Sequence, residues 1–270
     1  MKIREIKSRT IITKSKLPGA DYVLNPYIGC RHSCIYCYAD FIKRFTGHGN
    51  EEWGTFVDVK IFDIGKIKPY KYNSKRILVG SVTDPYQPVE AKYMVTRKIL
   101  DRLKTTAGRV EVLTKSALVS RDIDIFKEFA DIRVGISLVT LDNEIAKILE
   151  PFASLPGKRT ETLKLLHKNH IHTFLFISPV LPRITDFKNI IRATKSFVDT
   201  YMFENINIRP GNVAAITGFL KKTRPELLSL YERIRKQSSF WWDVEKEIKI
   251  FCKSQRIKYE IYFHHGGFKK

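Results

Sequence analysis

The segment GCRHSCIYCYAD, residues 29–40, places Cys30, Cys34 and Cys37 within one short stretch of the chain. Their spacing, three residues and then two, allows one loop to present three thiolates to three corners of a cubane iron–sulfur cluster. The fourth iron then has no protein ligand. The chain has four cysteines, and three of them are too crowded for structural disulfides, which indicates a metal site in a reducing compartment.

An open iron corner suits S-adenosylmethionine (SAM), whose amine and carboxylate can chelate it. Electron transfer into the sulfonium breaks the S–C5′ bond and gives a 5′-deoxyadenosyl radical, which takes hydrogen from an unactivated carbon. This chemistry belongs to the cofactor, while the protein positions and shields it. The loop therefore predicts a [4Fe–4S] cluster used with SAM.

Outward from this loop, apolar β-rich runs alternate with amphipathic stretches, a pattern typical of βα units around a parallel sheet. With a first strand that ends before Cys30, the pattern predicts about six βα units and an α/β fold, an open, partial (β/α)6 barrel of TIM type. The other predicted strands are 77–82, 110–114, 132–138, 172–177 and 203–208, and the predicted helices are 89–104, 121–130, 143–149, 158–170 and 186–198.

Polar or turn-forming clusters follow each predicted strand. Because the active site of a parallel barrel forms at the carboxyl ends of its strands, we expect six loops to meet at one mouth. After the cysteine loop these are SVTDPYQP (81–88), TKS (114–116), SLVT (137–140), SPVLP (178–182) and RPGN (209–212).

Two other uses of the cysteines remain as alternatives. They can form a Cys3His zinc site with His32 or His48, or they can hold a cluster that only transfers electrons. The expected position at the mouth and the aromatic residues nearby, Tyr27, Tyr36 and Tyr38, favour the open cluster.

The end of the chain has a different pattern. Residues 225–253 read as helical and basic, and a short strand over 258–263 follows, so we predict a barrel domain at 1–210 and a C-terminal extension at 211–270 that closes one side of it. Trp241 and Trp242 can stack on bases, but neighbours on a helix diverge by roughly 100°, so one is expected in the core. The tail, with His264, His265, Gly266 and Gly267, is either a disordered terminus or a segment facing the substrate.

Charge indicates the class of partner. Lys plus Arg number 48 against 28 Asp plus Glu, a formal net charge of +20, which favours a polyanion such as nucleic acid. The alternative is a solvated basic surface in a lysine-rich proteome. The charged N-terminus lacks the apolar run of a signal peptide, and no stretch reaches the length of a membrane span, so a cytoplasmic protein with no membrane partner is expected.

Several ordered motifs resemble one family. The segments are NPYIGCRHSCIYCYA, GSVTDPYQPVE, TRKIL, TKSALVSRDID, SLVTLD, EP and ISPVLPRITD, from about residue 25 to about residue 186. Together they resemble the radical SAM family that includes spore photoproduct lyase and its uncharacterised relatives. The resemblance implies a [4Fe–4S] cluster, SAM, and an external reductant such as ferredoxin or flavodoxin.

The resemblance also assigns residues. It implies that the three loop cysteines ligate the cluster, that Tyr36 lies against the adenine of SAM, and that Thr83 and Asp84 contact SAM. Lys115 resembles the lysine that reaches the SAM carboxylate and Ser137 the ribose contact, roles that suit a point charge and a hydroxyl. Each has an alternative: Asp84 before proline can initiate a turn, Lys115 can be a surface lysine, and Ser137 can be an ordinary strand residue.

One expected residue of the lyase is missing. Tyr36 and Tyr38 match two tyrosines of its radical relay, but Ser81 stands where its hydrogen-donating cysteine is aligned. A serine O–H bond is too strong to donate hydrogen readily to a carbon radical, which argues against repair of the thymine photoproduct by the known route. The remaining cysteine, Cys252, is expected to be a small buried hydrophobe and not a relocated donor. Glu150, before Pro151, and Arg159 resemble an EP…R pattern and are expected to be structural ties near the mouth.

Three functions are compatible with these residues. The leading hypothesis is a radical SAM enzyme, with lyase- or transferase-type chemistry, that repairs or modifies a nucleic-acid base, extruded into the mouth if it lies in a duplex. The second is radical modification of a peptide or small metabolite. The third is a non-enzymatic nucleic-acid-binding module with a structural metal.

Overall fold

Eleven strands form two sheets in the computed structural model, which describes residues 1–236 and 239–264. The strands are β1 (Lys2–Lys7), β2 (Ile12–Lys14), β3 (Tyr22–Leu24), β4 (Tyr27–Ile28), β5 (Phe56–Ile61), β6 (Arg76–Val79), β7 (Arg109–Thr114), β8 (Ile132–Ser137), β9 (His172–Val180), β10 (Thr200–Asn205) and β11 (Tyr259–Ile261).

The main sheet has the order β11-β10-β9-β8-β7-β6-β3-β2. Strands β3 and β6 to β11 pair in parallel, and β2 adds an antiparallel edge. The two edges, β2 and β11, are not paired with each other within the described residues, so the barrel is open, as the βα pattern predicts. The strand expected over 258–263 is β11, and it pairs with β10 at the far edge of the sheet.

Nine helices occur in the described residues, joined by several short 3-10 segments. They are α1 (Glu90–Tyr93), α2 (Val95–Leu103), α3 (Ile123–Phe126), α4 (Asn143–Leu149), α5 (Pro156–Lys168), α6 (Phe187–Thr194), α7 (Val213–Thr223), α8 (Leu228–Lys236) and α9 (Phe240–Ser254). Strands and helices alternate from β6 to β10, so the carboxyl ends of the parallel strands all reach one edge of the sheet.

The helix expected over residues 89–104 is broken at Met94, whose φ is 50°. The break has a local cause, because the Glu90 carboxylate accepts hydrogen bonds from the backbone N–H groups of Thr96 and Arg97 at 3.0 and 3.2 Å. This caps a new helix, α2, in place of continuing the first. The helix expected over 121–130 is also shorter: a 3-10 segment, Ala117–Asp122, leads into the single turn of α3.

The small sheet, β1-β5-β4, was not predicted. Its parallel pair joins residues 2–7 to residues 56–61, and β4 pairs antiparallel with β5 directly before the cysteine loop. The small sheet therefore fixes the chain on both sides of that loop.

The C-terminal helices contribute to the core. Trp241 and Cys252 are buried at 3% and 0% exposure, whereas Trp242 is 58% exposed. The expectation that one tryptophan packs in the core is confirmed, as is that of a buried Cys252. Within the described residues, no helix is both long and apolar enough to cross a membrane.

Candidate functional site

The cysteine loop begins at a glycine that its neighbours require. Gly29 has φ +82°, and a Cβ there would lie 2.5 Å from the carbonyl oxygen of Phe56 in β5. Beyond it the loop folds on itself, since the backbone N–H of Cys37 donates to the carbonyl of Cys34 at 3.1 Å. Cys30 is buried, and Cys34 and Cys37 are partly buried. The chain therefore presents all three thiols from one tight loop at the mouth.

Residues of the loop after β6 hold the start of the cysteine loop. The Thr83 hydroxyl donates to the Gly29 carbonyl at 2.6 Å, and Gln87 Nε2 donates to the same oxygen at 3.2 Å. Gln87 Oε1 in turn accepts from the backbone N–H of Arg31 at 2.8 Å. Thr83, expected at the site, is there, and Gln87 is a positioning residue that sequence reasoning missed.

Asp84 lies between this loop and the next. Its carboxylate accepts from the Thr114 hydroxyl at 2.6 Å and from the backbone N–H groups of Tyr86 and Lys115, each at 2.8 Å. His32 Nδ1 lies 3.2 Å from the same group. Burial opposes ionisation, but the charge of His32 and these hydrogen bonds lower the pKa of Asp84 to about 2. The ionised Asp84 carboxylate therefore connects three loops. Its hydrogen bond to the Tyr86 N–H also forms the turn expected from an aspartate before proline.

Tyr36 is oriented by a buried ion pair. Its hydroxyl donates to one oxygen of Glu150, and Arg159 donates to the other oxygen of that carboxylate. Arg159 also donates to the carbonyls of Ser137 at 2.9 Å and Ser154 at 2.6 Å. Burial opposes the charge on Glu150, but Arg159 lowers the pKa of the carboxyl. Glu150 and Arg159 are structural ties at the mouth, as the EP…R pattern indicates, and they fix the ring of Tyr36.

Lys115 places a cation beside this aromatic ring, with its Nζ 5.8 Å from the ring centroid of Tyr36. Burial opposes its charge, but Cys34 and Glu150 nearby raise the pKa of the ammonium group above its usual value. Its Nζ has no hydrogen-bond or ion-pair partner in the part of the chain that the structure describes. A protonated amine is therefore available to an anionic group at the mouth.

Strands β8, β9 and β10 contribute a chain of hydrogen-bonded polar side chains. The Ser137 hydroxyl donates to the carbonyl of Ser178 at 3.1 Å, and the Ser178 hydroxyl donates to the Glu204 carboxylate at 2.7 Å. Burial raises the pKa of Glu204. Glu204, inside β10, was missed because an acidic residue in a strand gives no sequence signal for an active site.

Tyr38 and Ser81 meet directly at the mouth. The hydroxyl of Tyr38 donates to the backbone carbonyl of Ser81, and Asn25 Nδ2 donates to the Ser81 hydroxyl at 2.9 Å. The two positions expected from the relay of the lyase thus lie together, with a serine in place of a thiol.

The loop after β10, residues 209–212, completes the set of loops at the mouth. Asn212 Nδ2 donates to the carbonyl of Tyr36 at 3.0 Å, and a Cβ on Gly211 would lie 1.9 Å from the Asp40 carboxylate. At the end of β10, the backbone N–H of His264 donates to Asn205 Oδ1 at 2.9 Å. The other residues named in the tail, His265, Gly266 and Gly267, lie outside the described residues.

The side chains around the cysteine loop suit an iron–sulfur cluster better than a single zinc ion. His48 stacks on Phe56 with 3.7 Å between ring centroids and hydrogen bonds to Asp58 at 2.8 Å, whereas His32 Nδ1 lies 3.2 Å from the Asp84 carboxylate without hydrogen-bond geometry. In residues 1–236 and 239–264 no group of three His, Cys, Asp or Glu side chains is arranged around a single metal ion. Three thiols with no imidazole placed to complete a single metal site match the ligands of an iron–sulfur cluster, in which each cysteine binds a different iron.

Some known proteins are similar to this chain in sequence, and others are similar in fold. The uncharacterized protein MJ0683 of Methanocaldococcus jannaschii is 37% identical over 240 residues, which cover 89% of each chain. The uncharacterized protein ORF301 of Acidianus two-tailed virus is 32% identical over 171 residues, 60% of this chain and 56% of that protein. A structure of spore photoproduct lyase complexed with dinucleoside spore photoproduct superposes with a TM-score of 0.68 at 15% identity, covering 97% of this chain and 82% of that one, a likeness in fold alone.

The sequence model described as the radical SAM superfamily matches residues 24–193. This stretch starts in β3, includes the cysteine loop and ends in α6, so it contains β6 to β9 and the loops that follow them but not β10. Because it covers more than half of the chain and contains all three clustered cysteines, the expected family is confirmed: the chain belongs to the radical SAM superfamily of enzymes.

Proposed function

We propose that Cys30, Cys34 and Cys37 hold a [4Fe–4S] cluster whose fourth iron binds SAM, and that the enzyme acts on a nucleic-acid base. When bound, these groups supply a 5′-deoxyadenosyl radical that takes hydrogen from the substrate, with electrons from a reductant such as ferredoxin or flavodoxin. One observation supports this most: the three thiols share the mouth with a protonated lysine whose Nζ has no hydrogen-bond or ion-pair partner in the described chain.

The residues around the thiols have roles that their geometry allows. Lys115 binds the SAM carboxylate as a point charge. The ring of Tyr36, fixed by Glu150 and Arg159, offers a face to the adenine. Ser137 donates to Ser178, so its oxygen is left to accept from a ribose hydroxyl. The side chains of Thr83 and Asp84 hydrogen bond to other groups of the protein. We propose that these two residues affect SAM binding indirectly, by positioning the cysteine loop and the backbone of Lys115.

Replacing Lys115 with methionine is expected to weaken SAM binding by about 10- to 100-fold, because a hydrogen bond to a charged group contributes roughly 1.5–3 kcal/mol. The measurement is equilibrium binding of SAM to the anoxically reconstituted variant. Lys221→Met, at an exposed site in α7, is the matched control and is expected to bind SAM like the wild type. Unchanged affinity in Lys115→Met at full iron content would contradict the assignment.

Two observations support a nucleic-acid substrate. The first is the net charge of +20. The second is a cavity of about 450 Å³ beside the loop after β9, lined by Arg183, Arg224 and Arg233 together with Phe240. Three guanidinium groups face one carboxylate there, that of Glu226, and guanidinium forks match phosphate oxygens. The hydroxyl of Tyr231 in α8 donates to the carbonyl of Pro182 at 3.2 Å, which ties the cavity to the mouth. We propose that it holds a backbone phosphate of the substrate.

Nucleic-acid binding by the reconstituted enzyme is expected to weaken steeply with salt. Replacing Arg183 and Arg233 with glutamine is expected to flatten the plot of log K against log salt by about 0.7 per lost phosphate contact for a single strand, or about 0.9 for a duplex. The measurement is fluorescence anisotropy with labelled oligonucleotides. Lys221→Gln and Lys222→Gln together form a control of equal charge loss, expected to change the slope less. Equal slopes in both variants would remove the cavity from the proposal, and no binding by the wild type at low salt would remove the nucleic acid.

The substrate class is decided by turnover. With SAM and reductant, release of 5′-deoxyadenosine is expected to rise when DNA or RNA is added. A rise with peptides or small metabolites alone would favour the second hypothesis. The serine at position 81 predicts that thymine photoproduct DNA is not repaired through a cysteine relay.

A further inference from the structure

A turn that follows the cysteine loop folds back over it. Ser33, inside the loop, donates its hydroxyl to the carbonyl of Trp53 at 3.4 Å, and Arg31 Nη1 donates to the carbonyl of Gly54 at 3.2 Å. Gly54 has φ +92°, and a Cβ there would lie 2.2 Å from Ser33 Oγ. This contact leaves no room for a larger residue, so the backbone of Trp53 lies directly against the loop that carries the thiols.

The indole ring of Trp53 is fixed by packing. It meets the ring of Phe56 edge to face, with 6.0 Å between centroids and an interplanar angle of 84°. Phe56 is itself 1% exposed and is covered on another side by the stacked ring of His48. The direction of the indole N–H is therefore set by a rigid aromatic group.

That N–H lacks an ordinary partner. In the described chain Trp53 Nε1 is buried from solvent and has no acceptor in hydrogen-bond geometry. Leaving a buried donor unsatisfied costs roughly 1–3 kcal/mol, so such a group calls for an acceptor. The group that it approaches, without reaching hydrogen-bond geometry, is the thiol of Cys37, with which the side chain of Trp53 interacts.

We propose that Trp53 is a positioning residue whose indole N–H donates a hydrogen bond to the Cys37 sulfur when that sulfur ligates the cluster. The inference rests on the proposed function, since it requires the cluster on the three cysteines. A ligating thiolate carries more negative charge than a thiol and is a better acceptor. Hydrogen bonds to the sulfurs are one of the factors that set the reduction potential of such clusters. Because the bond stabilises the more negative, reduced state, Trp53 raises the potential of the cluster and eases its reduction.

The test compares reconstituted wild type with Trp53→Phe, which keeps an aromatic ring and removes the N–H. The midpoint potential of the variant is expected to become more negative by about 59 mV, a tenfold change in a one-electron equilibrium. Pulsed electron paramagnetic resonance of the reduced wild type is expected to show exchangeable protons near the cluster, those of backbone N–H groups included, and one of these proton signals is expected to be missing in the variant. Trp242→Phe, the same substitution at an exposed site in α9, is expected to change neither signal.

Substituting 3-benzothienylalanine at position 53, which keeps the bicyclic shape and replaces N–H with sulfur, separates hydrogen bonding from packing. It is expected to lower the potential as Trp53→Phe does, whether or not the phenylalanine variant keeps its iron. A wild-type potential and an unchanged proton signal in the benzothienyl protein would overturn the role of Trp53. A wild type that takes up no cluster would instead overturn the proposed function.

Discussion

Cys34→Ser is expected to abolish SAM cleavage. Cys34 lies between Cys30 and Cys37 in the loop, and it is one of the three proposed cluster ligands. Its thiol also lies near the charges of Lys115 and Glu150. Two thiolates leave two irons without protein ligands, and a cubane held at two corners is not expected to survive. Iron and sulfide content after anoxic reconstitution, and the 5′-deoxyadenosine released under strong reductant, are the measurements.

The fourth cysteine provides a matched control. Cys252→Ser changes the same atom at a site in α9 that is fully buried in the hydrophobic core. It is expected to lower the free energy of unfolding but to leave iron content and SAM cleavage per folded molecule unchanged. If Cys34→Ser retained a full cluster, or if Cys252→Ser lost it, the ligand assignment would be wrong.

The fold class and the cysteine loop could be predicted because both are local in the sequence. The alternation of strands and helices predicts the parallel sheet. Both ends of α4 were also predicted, and at its N-terminus Asp142 accepts hydrogen bonds from the N–H groups of Glu144 and Ile145. The convergence of the six loops then follows from the parallel pairing, since all these strands end at the same edge.

What could not be predicted depends on contacts between distant residues. The small sheet pairs β1 with β5, about fifty residues later, and neither strand has a pattern that names its partner. Gln87 hydrogen bonds to the Gly29 carbonyl and the Arg31 N–H, and Trp53 accepts a hydrogen bond from Ser33 through its backbone carbonyl, contacts that exist only after folding. The lysine expected near the SAM carboxylate did lie at the mouth, but its neighbours Tyr36 and Glu150 became visible only in the structure.

Arg159→Met is expected to cause a large loss of stability. Arg159 and Glu150 are each 1% exposed and form an ion pair, and Arg159 also satisfies two backbone carbonyls. Removing one partner leaves an uncompensated buried charge, which typically costs roughly 3–5 kcal/mol. Urea unfolding at neutral pH measures this cost. Lys158→Met, one residue earlier, breaks a pair with Glu161 in which both side chains are exposed, and is expected to cost about 0–1 kcal/mol.

The pH dependence distinguishes a lost ion pair from lost packing. In the wild type the pKa of Glu150 is below its usual 4.5, so its ionised form stabilises the fold at neutral pH, and this contribution is lost as the pH falls below about 4.5. In Arg159→Met the same carboxyl is buried without its cation and takes up a proton more readily. The difference in unfolding free energy between the two proteins is therefore expected to shrink as the pH is lowered towards 4.5, because protonation neutralises the charge that the variant leaves unpaired. A difference that stays constant from pH 7 to pH 4.5 would assign the loss to packing of the arginine stem and would remove the ion pair as the device that holds Tyr36 in place.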